Sequence, residues 1–503
     1  MKVLLIYPSY PESFWSFKHA LPFINKKAAY PPLGLLTVAA ILPQEWEKRL
    51  IDLNVRVLPD EDLLWADYVL ISAMIIQKDS VREIISRCRS LGVKTVGGGP
   101  LFTISPEDYP EIDHLVLNEG EITIPLFLDD LSRGSARHIY ESLEKPALSE
   151  TPVPLWRLID FHDYSCIGLQ YSRGCPFDCE FCDITSLYGR QPRVKSARQL
   201  LTELKSIYQA GWRGTVFIVD DNFIGNKAQL KEEVLPSLIE WMEKHKHPFG
   251  FLTEVSINLA DDDRLLELMK KAGFNHVFIG VETPSEESLK ECSKYNNINR
   301  NLLASIKKIQ NYGIEVSAGF IVGFDSDTPS IFEKQINFIQ QSGIVVAMVG
   351  LLSAIKGTRL FERLKTEQRL LLNYSGNNTD FSINYIPRMN TQKLLEGYRK
   401  IVTTIYSPDS FYDRILVFFR EYRPAKGHSP RDFRLYYLKA LFKSIYYLGI
   451  LERDRKKYWD FILKTLLRYP RFLPKAFTFA IYGFHFRKIF FAEAEEKGIL
   501  PDS

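Results

Sequence analysis

Apolar and polar positions alternate along this chain in two rhythms. Over roughly residues 1–140, compact apolar runs read as buried strands: "KVLLIYP" (2–8), "RLIDLNV" (49–55), "ADYVLISAMI" (66–75), "GVKTVGGGP" (92–100) and "DHLVLNEGE" (113–121). Between them, apolar residues recur every three to four positions, the spacing that covers one face of a helix. "PPLGLLTVAAIL" (31–42) predicts a helix entered through proline, and "DSVREIISRCRSLG" (79–92) an amphipathic helix stopped by Gly92. Strand and helix in alternation predict a parallel, doubly wound sheet, which binds ligands at the carboxyl ends of its strands. The run Gly97-Gly98-Gly99 falls at such an end, where missing side chains leave the backbone open to a flat or bulky ligand. A tight strand-to-loop turn accounts for three glycines equally well.

"YESLEKPALSETPVPLWRL" (140–158) is rich in Pro, Ser and Glu and keeps no period, which predicts a linker over 141–165. The strand–helix rhythm then repeats six times over 166–365. Its strands are "IGLQYSR" (167–173), "TVFIVDD" (215–221), "GFLTEVS" (250–256), "HVFIGVE" (276–282), "VSAGFIVGF" (316–324) and "VVAMVGLL" (345–352). Helical patterns such as "SARQLLTELKSIYQAG" (196–211) and "DDRLLELMKKAG" (262–273) separate them. Six such units predict a partial (βα)6 barrel with its chemistry at the C-terminal ends of the strands. Polar residues gather there: Asp220, Asp221 and Asn222, then Glu254 and Ser256, then Glu282 and Thr283. From 366 to 503 the pattern is helical.

At 503 residues the chain exceeds one ordinary core, consistent with the three sections. A composition of 46% hydrophobic and 25% charged residues is that of a globular protein in water. No apolar run approaches the roughly 18–20 residues of a membrane-spanning helix. The N-terminal apolar run ends at Pro8, unlike a signal peptide, so the expected location is the cytoplasm. The net charge of +3 hides an asymmetry. Residues 411–503 carry 19 Lys and Arg against 10 Asp and Glu, while the other 410 carry 45 against 51. Residues 411–490 also hold 22 aromatics. They read either as a helical cap with an aromatic core or as basic amphipathic helices in peripheral contact with a membrane. No nucleic-acid-reading motif accompanies the charge, so nucleic acid is not an expected partner.

The chemistry centres on "YSRGCPFDCEFCDI" (171–184), which places Cys175, Cys179 and Cys182 in one loop after the first barrel strand. A cluster of cysteines in a large chain points to metal or chemistry rather than disulfides. Structural zinc wants four ligands, usually as two distant pairs, and no Cys or His follows within ten residues of Cys182. An iron–sulfur cubane fits better: three thiolates leave its fourth iron open to a substrate or cofactor. Cys88, Cys166 and Cys292 share no spacing with these, so no second cluster is expected. His19 and His162 are isolated, and structural roles suit them better than catalytic ones.

C-x3-C-x2-C with Phe181 before the last cysteine, after the first strand of a six-unit barrel, resembles the radical S-adenosylmethionine (SAM) superfamily. The resemblance implies a [4Fe–4S] cluster on Cys175, Cys179 and Cys182 whose open iron chelates SAM and cleaves it to a 5′-deoxyadenosyl radical. It further implies adenine beside the backbone at Phe181, the methionine amino group at Asp220 and Asp221, and its carboxylate or the ribose at Glu254, Ser256 and Glu282. "GFIVGF" (319–324), with Gly319 and Gly323, matches the family's glycine motif near adenine. "YPPLGLLTVAAIL", "VGGGP" and "LNEGEITIP" are similar to segments of the cobalamin-binding domain found in the B12-dependent members. Cobalamin is then expected near Ser72, Ala73 and Gly97 to Gly99. The D-x-H-x-x-G motif that supplies a lower histidine ligand elsewhere is absent, and Leu101 follows the glycines where relatives often have histidine. "FIVDDNFIGNK", "FIGVETPSEESL" and "IYSPDSFYDR" resemble the subgroup with the C-terminal extension of hopanoid C-2 methylases.

The function expected from this resemblance is cobalamin-dependent methylation of an unactivated carbon in a hydrophobic or lipid-like substrate, with an electron donor such as flavodoxin or ferredoxin. Radical cyclisation, carbon–carbon coupling or dehydrogenation without methyl transfer is the alternative within the same chemistry. A cobalamin or redox sensor is the non-enzymatic alternative.

Overall fold

The computed structural model describes residues 1–371, 374–377, 379–424 and 435–496. Residues 425–434 and 497–503, included in the expected helical section, lie outside the described residues.

The first sheet has six parallel strands: β1 (Lys2–Tyr7), β2 (Glu47–Asp52), β3 (Tyr68–Ser72), β4 (Lys94–Gly98), β5 (His114–Val116) and β6 (Ile139–Tyr140), in the order β2-β1-β3-β4-β5-β6. Val3 to Ile6 of β1 are fully buried because helices cover both faces, each with its own apolar cluster. The strand order reverses between β1 and β3, which opens a crevice at their carboxyl ends. Sequence periodicity missed β6. Two residues at a sheet edge carry no pattern, and Tyr140 opens the stretch read as linker.

The second sheet contains β7 (Ile167–Leu169), β10 (Gly214–Ile218), β11 (Phe249–Val255), β12 (Phe274–Glu282), β13 (Glu315–Val322) and β14 (Ala347–Leu351). All are parallel and lie side by side in chain order, as in an open barrel. The run 167–173 is not one strand. The Tyr171 amide (2.7 Å) and the Ser172 hydroxyl (2.6 Å) donate to Asp220 instead of extending the ladder. The chain then forms β8 (Ser172–Arg173), which pairs antiparallel with β9 (Arg193–Val194) and closes the cysteine loop at its base. Helices cover the outside of the barrel. Ala197–Gln209 starts at a Ser196–Gln199 capping box, and Asp263–Ala272 runs from the Asp262 cap to Gly273 at φ +101°. In β11 the alternation is strict. Phe249, Phe251, Thr253 and Val255 are buried under these helices, while Gly250, Leu252 and Glu254 keep surface toward the lumen.

A barrel of six units has an open side, and two other parts of the chain close it. Residues 28–30, from the loop after β1, lie beside the start of β7, with Ser165 N to Ala28 O at 3.1 Å and Cys166 N to Ala29 O at 3.0 Å. At the other edge the helix Thr391–Tyr406 runs along β14. Its Tyr406 hydroxyl bonds both backbone groups of Ala347 (2.8 and 3.2 Å), and Tyr398 donates to Val349 O at 3.1 Å. Those hydroxyls occupy an edge that would otherwise be unpaired. Phe14 stacks on Phe486 of the helix Leu473–Glu496 with centroids 4.3 Å apart, bridging the two closures. One continuous core therefore joins the loop after β1, the barrel and the C-terminal helices. Most of the aromatics expected as a helical cap are in it.

Candidate functional site

The cysteine loop leaves the sheet through Gly174, at φ +94°, where a Cβ would sit 2.9 Å from Gly189 O; only glycine fits. Farther on, Glu180 donates its amide to Cys292 O (2.9 Å) and pairs with Arg363 (2.6 Å). The loop is thus anchored at both ends and presents three free thiols. Burial holds all three above the usual thiol range, most strongly at Cys182, while the nearby Lys294 ammonium opposes that effect. Among the described residues no three Cys, His or carboxylate side chains converge on one ion-sized point. Mononuclear zinc needs such convergence, with ligands at about 2.0–2.3 Å, whereas a cubane takes each thiolate on a different iron. The donor set fits a cubane.

Around the thiols stand the carboxylates at the strand ends. Asp220 is fully enclosed and spends both oxygens on Tyr171 and Ser172, so it shapes the root of the cysteine loop. Asp221 and Glu254 are the carboxylates left facing the mouth. Burial raises Asp220 to about 7, Asp221 to about 6 and Glu254 to about 8; nearby acids add to each shift, Asp221 for Asp220, Asp183 for Asp221, and Asp221 with Asp220 for Glu254. An enclosed group of acids held this high is short of a cation, and an ammonium would answer it. The Ser256 hydroxyl is engaged with Asn258 (2.6 Å) and Asn222 (3.3 Å).

Glu282 stands at a register shift in β12 with φ +63°, a left-handed conformation that a glutamate adopts only under constraint. It pairs with Lys294 at 2.8 Å. Burial opposes the charge on Lys294, but Glu282 together with Cys179 and Cys182 outweighs it and holds the ammonium well above the usual lysine range. Lys294 was not visible in the sequence. It follows its partner by twelve residues, in a loop without a motif, and only the fold brings it to the thiols.

The Phe181 ring packs toward Phe324, with centroids 6.5 Å apart, in an apolar cluster with Cys292 and Tyr385. Gly323, at φ +112°, backs onto the Tyr385 hydroxyl. Gly319 lies deeper, where a Cβ would be 3.2 Å from Phe278. Below the mouth the lumen has an aromatic wall, and deeper in it Ser317 bonds His276 (2.7 Å) and Glu315 pairs with Lys475. Trp15 and Tyr30 enter from the loop after β1 and meet Phe278 and Phe217, with centroids 5.4 and 5.5 Å apart. His19 bonds Glu12, and His162 is exposed before β7, at the strand end opposite the cysteines; neither lies at the mouth. Cys88 is buried in its helix and raised to about 11, and Cys166 sits at the start of β7. Cys292 is the exception: it packs against the cysteine loop although no spacing relates them.

The first sheet turns its strand ends toward this mouth. Arg173, two residues before Cys175, binds Glu119 and Glu121 from the segment after β5 at 2.7 Å each, and Arg193 binds Glu119 at 2.7 Å. β3 ends at Ser72, opposite Gly98, and Ala73 follows it beside Gly99. A Cβ at Gly97 would strike Ile112 at 2.9 Å, and one at Gly99 the Ser72 hydroxyl at 2.7 Å. The chain's own packing therefore requires these glycines. At these strand ends Ser72, Gly98 and Gly99 keep surface with nothing larger than serine, while Ala73 and Gly97 are buried.

Known proteins share these parts. The B12 binding domain matches residues 23–128, the Radical SAM superfamily 169–339, and a domain of unknown function (DUF4070) 358–497. An uncharacterised methyltransferase of Synechocystis is 40% identical over 97% of this chain and 91% of its own. The hopanoid C-2 methylase of Rhodopseudomonas palustris is 34% identical over 93% and 90%. This chain belongs to the radical SAM superfamily with a B12 binding domain. Its fold is shared with the radical SAM methyltransferase TsrM from Kitasatospora setae, at a TM-score of 0.61 and 14% identity over 93% of this chain and 99% of that one. As a member of this radical SAM family it is an enzyme whose cofactors are a [4Fe–4S] cluster, SAM and cobalamin.

Proposed function

We propose that this protein methylates an unactivated carbon of a hydrophobic, lipid-like substrate. When bound, the cluster, SAM and cobalamin supply the electron, the hydrogen-abstracting radical and the methyl group. The chain's own contribution is placement. Cys175, Cys179 and Cys182 are the three thiol ligands, held by Gly174, Asp220 and Glu180. Asp221 and Glu254 take the methionine ammonium, and Lys294, steered by Glu282, takes its carboxylate. The strand ends at Ser72, Ala73 and Gly97 to Gly99 form the cobalamin floor.

The observation that carries the substrate reading is the lumen. Beside Glu254 and one inward position below it the walls include Trp15, Tyr30, Phe217, Leu252 and Phe278, and the first charged groups deeper on this inner face are Glu315 and its partner Lys475, beside His276. Such walls favour an apolar body and exclude water from a radical. The name of the Rhodopseudomonas relative points to a hopanoid or similar lipid. A substrate of that kind would reach a cytoplasmic enzyme by peripheral contact with a membrane, and a flavodoxin or ferredoxin would supply electrons.

The test is anaerobic turnover of the reconstituted protein with a hopanoid. Methylated product, 5′-deoxyadenosine and S-adenosylhomocysteine are expected together. Cys179→Ala should abolish all three and Cys88→Ala none. 5′-Deoxyadenosine without S-adenosylhomocysteine or bound cobalt would replace methyl transfer by cyclisation, coupling or dehydrogenation.

A further inference from the structure

The helix Arg455–Arg468 has two apolar faces, and only one is used. Tyr458, Phe461, Ile462 and Thr465 are buried against the core. Trp459, Leu463, Leu466 and Leu467 recur at i, i+4, i+7 and i+8, a second stripe turned about a third of a turn away, and all four are exposed; Leu467 keeps 74% of its surface. The stripe continues across the turn at 452–454. The Trp459 indole donates to Gly449 O (2.9 Å) and lies on Gly449, beside exposed Ile450 and Leu451. Phe442 and Tyr446, one turn apart on the preceding helix, extend it. Surface leucines occur singly on most proteins, but eight large apolar side chains in one band do not.

Charge identifies what covers this band. Arg453, Arg455, Lys456 and Arg468 border it, are exposed, and form no ion pair with a described carboxylate. They belong to the section that holds the chain's positive excess. No helix among the described residues is long and apolar enough to cross a membrane, so the band suits a surface contact and not a span. A tryptophan and a tyrosine among leucines, bordered by arginine and lysine, match the depth profile of a bilayer interface. We propose that this band docks the protein on the surface of an anionic lipid bilayer. Its use as the route of substrate entry rests on the functional reading above; the docking does not.

The test is co-sedimentation of the full-length, cluster-loaded protein with vesicles of phosphatidylcholine alone or with phosphatidylglycerol. The protein should bind the anionic vesicles, and more weakly as salt rises. Leu463→Gln/Leu466→Gln/Leu467→Gln, which keeps helix propensity, should weaken binding at least tenfold on both kinds of vesicle. Arg455→Gln/Lys456→Gln/Arg468→Gln should weaken it on anionic vesicles only and flatten the salt dependence. Both variants should release 5′-deoxyadenosine from SAM at the parent rate, which shows that they are folded. No binding by the parent, or equal binding by the triple leucine variant, overturns the proposal. So does a concentration-dependent dimer that the leucine variant loses while vesicle binding is unchanged, because a second copy would then be the occupant. Vesicle binding without methylation of any lipid would instead leave docking intact and refute the substrate reading.

Discussion

The contact between the first sheet and the cysteine loop gives the sharpest quantitative test. Glu121 meets both terminal nitrogens of Arg173, at 2.7 and 3.0 Å, with its side chain only 4% exposed. Burial alone would raise its carboxyl. Arg173, helped by Thr151, more than offsets this and lowers it from 4.5 to about 2. At about 1.4 kcal/mol per unit, the ionised carboxylate contributes about 3 kcal/mol to the folded state. Because the folded value is depressed, that stability is complete above about pH 4.5 and drains away as pH falls toward 2. Glu121→Gln removes the charge and Arg173→Met the partner. Glu121→Gln should cost about 3 kcal/mol near neutral pH, within the range for breaking a buried pair, and Arg173→Met, which also takes a partner from Glu119, should cost more. The measurement is urea unfolding of the single and double variants, read on the first transition, since a chain with two sheets need not unfold in one step. The double variant should cost about 2–3 kcal/mol less than the sum of the singles, and the deficit of Glu121→Gln should vanish between pH 4.5 and 2. Costs that add to within about 0.5 kcal/mol, or a deficit constant with pH, would refute the reasoning. As Arg173 is two residues from Cys175, cluster loading should fall in the same variants.

The remaining predictions concern the mouth of the barrel. Lys294→Met should load a cluster yet bind SAM about 10- to 100-fold more weakly by calorimetry, the loss of one charged hydrogen bond; unchanged affinity would remove Lys294 from the site. Gly280→Ala should act on the same pair without touching its charges. The added methyl falls on the Glu282 carboxylate and 2.9 Å from Lys294 Nζ, so weaker SAM binding with normal thermal unfolding is expected.

Much of this molecule was legible from residue order because local rules governed it. The apolar run of β1, the Ser196 box and Gly273 each act within a few residues, so periodicity located ten of the principal parallel strands, while the two-residue strands and the break after Leu169 left no pattern. The three cysteines share one loop, and their spacing, with Phe181 and the strand before them, carried the resemblance to the radical SAM superfamily. The expected acids at 220, 221, 254 and 282 also reached one end of the sheet, since every parallel strand ends on the same side.

What each acid does there was decided only by tertiary structure. Asp220 and Asp221 are neighbours in sequence, yet one is consumed by Tyr171 and Ser172 and the other lies against the Gly174 amide at the mouth. Lys294, Cys292, Trp15 and Tyr30 arrive from loops whose positions depend on packing against partners up to hundreds of residues away. The open side of the barrel is closed by residues 28–30 and by Tyr406, segments that no repeat in the sequence relates. The aromatics of the last hundred residues divide in the same way. Composition registered their number, but only the helix orientations determined that Phe461 faces the core and Trp459 the solvent. A hydrophobic side chain encodes that it will be covered; which surface covers it is a property of the whole chain's geometry.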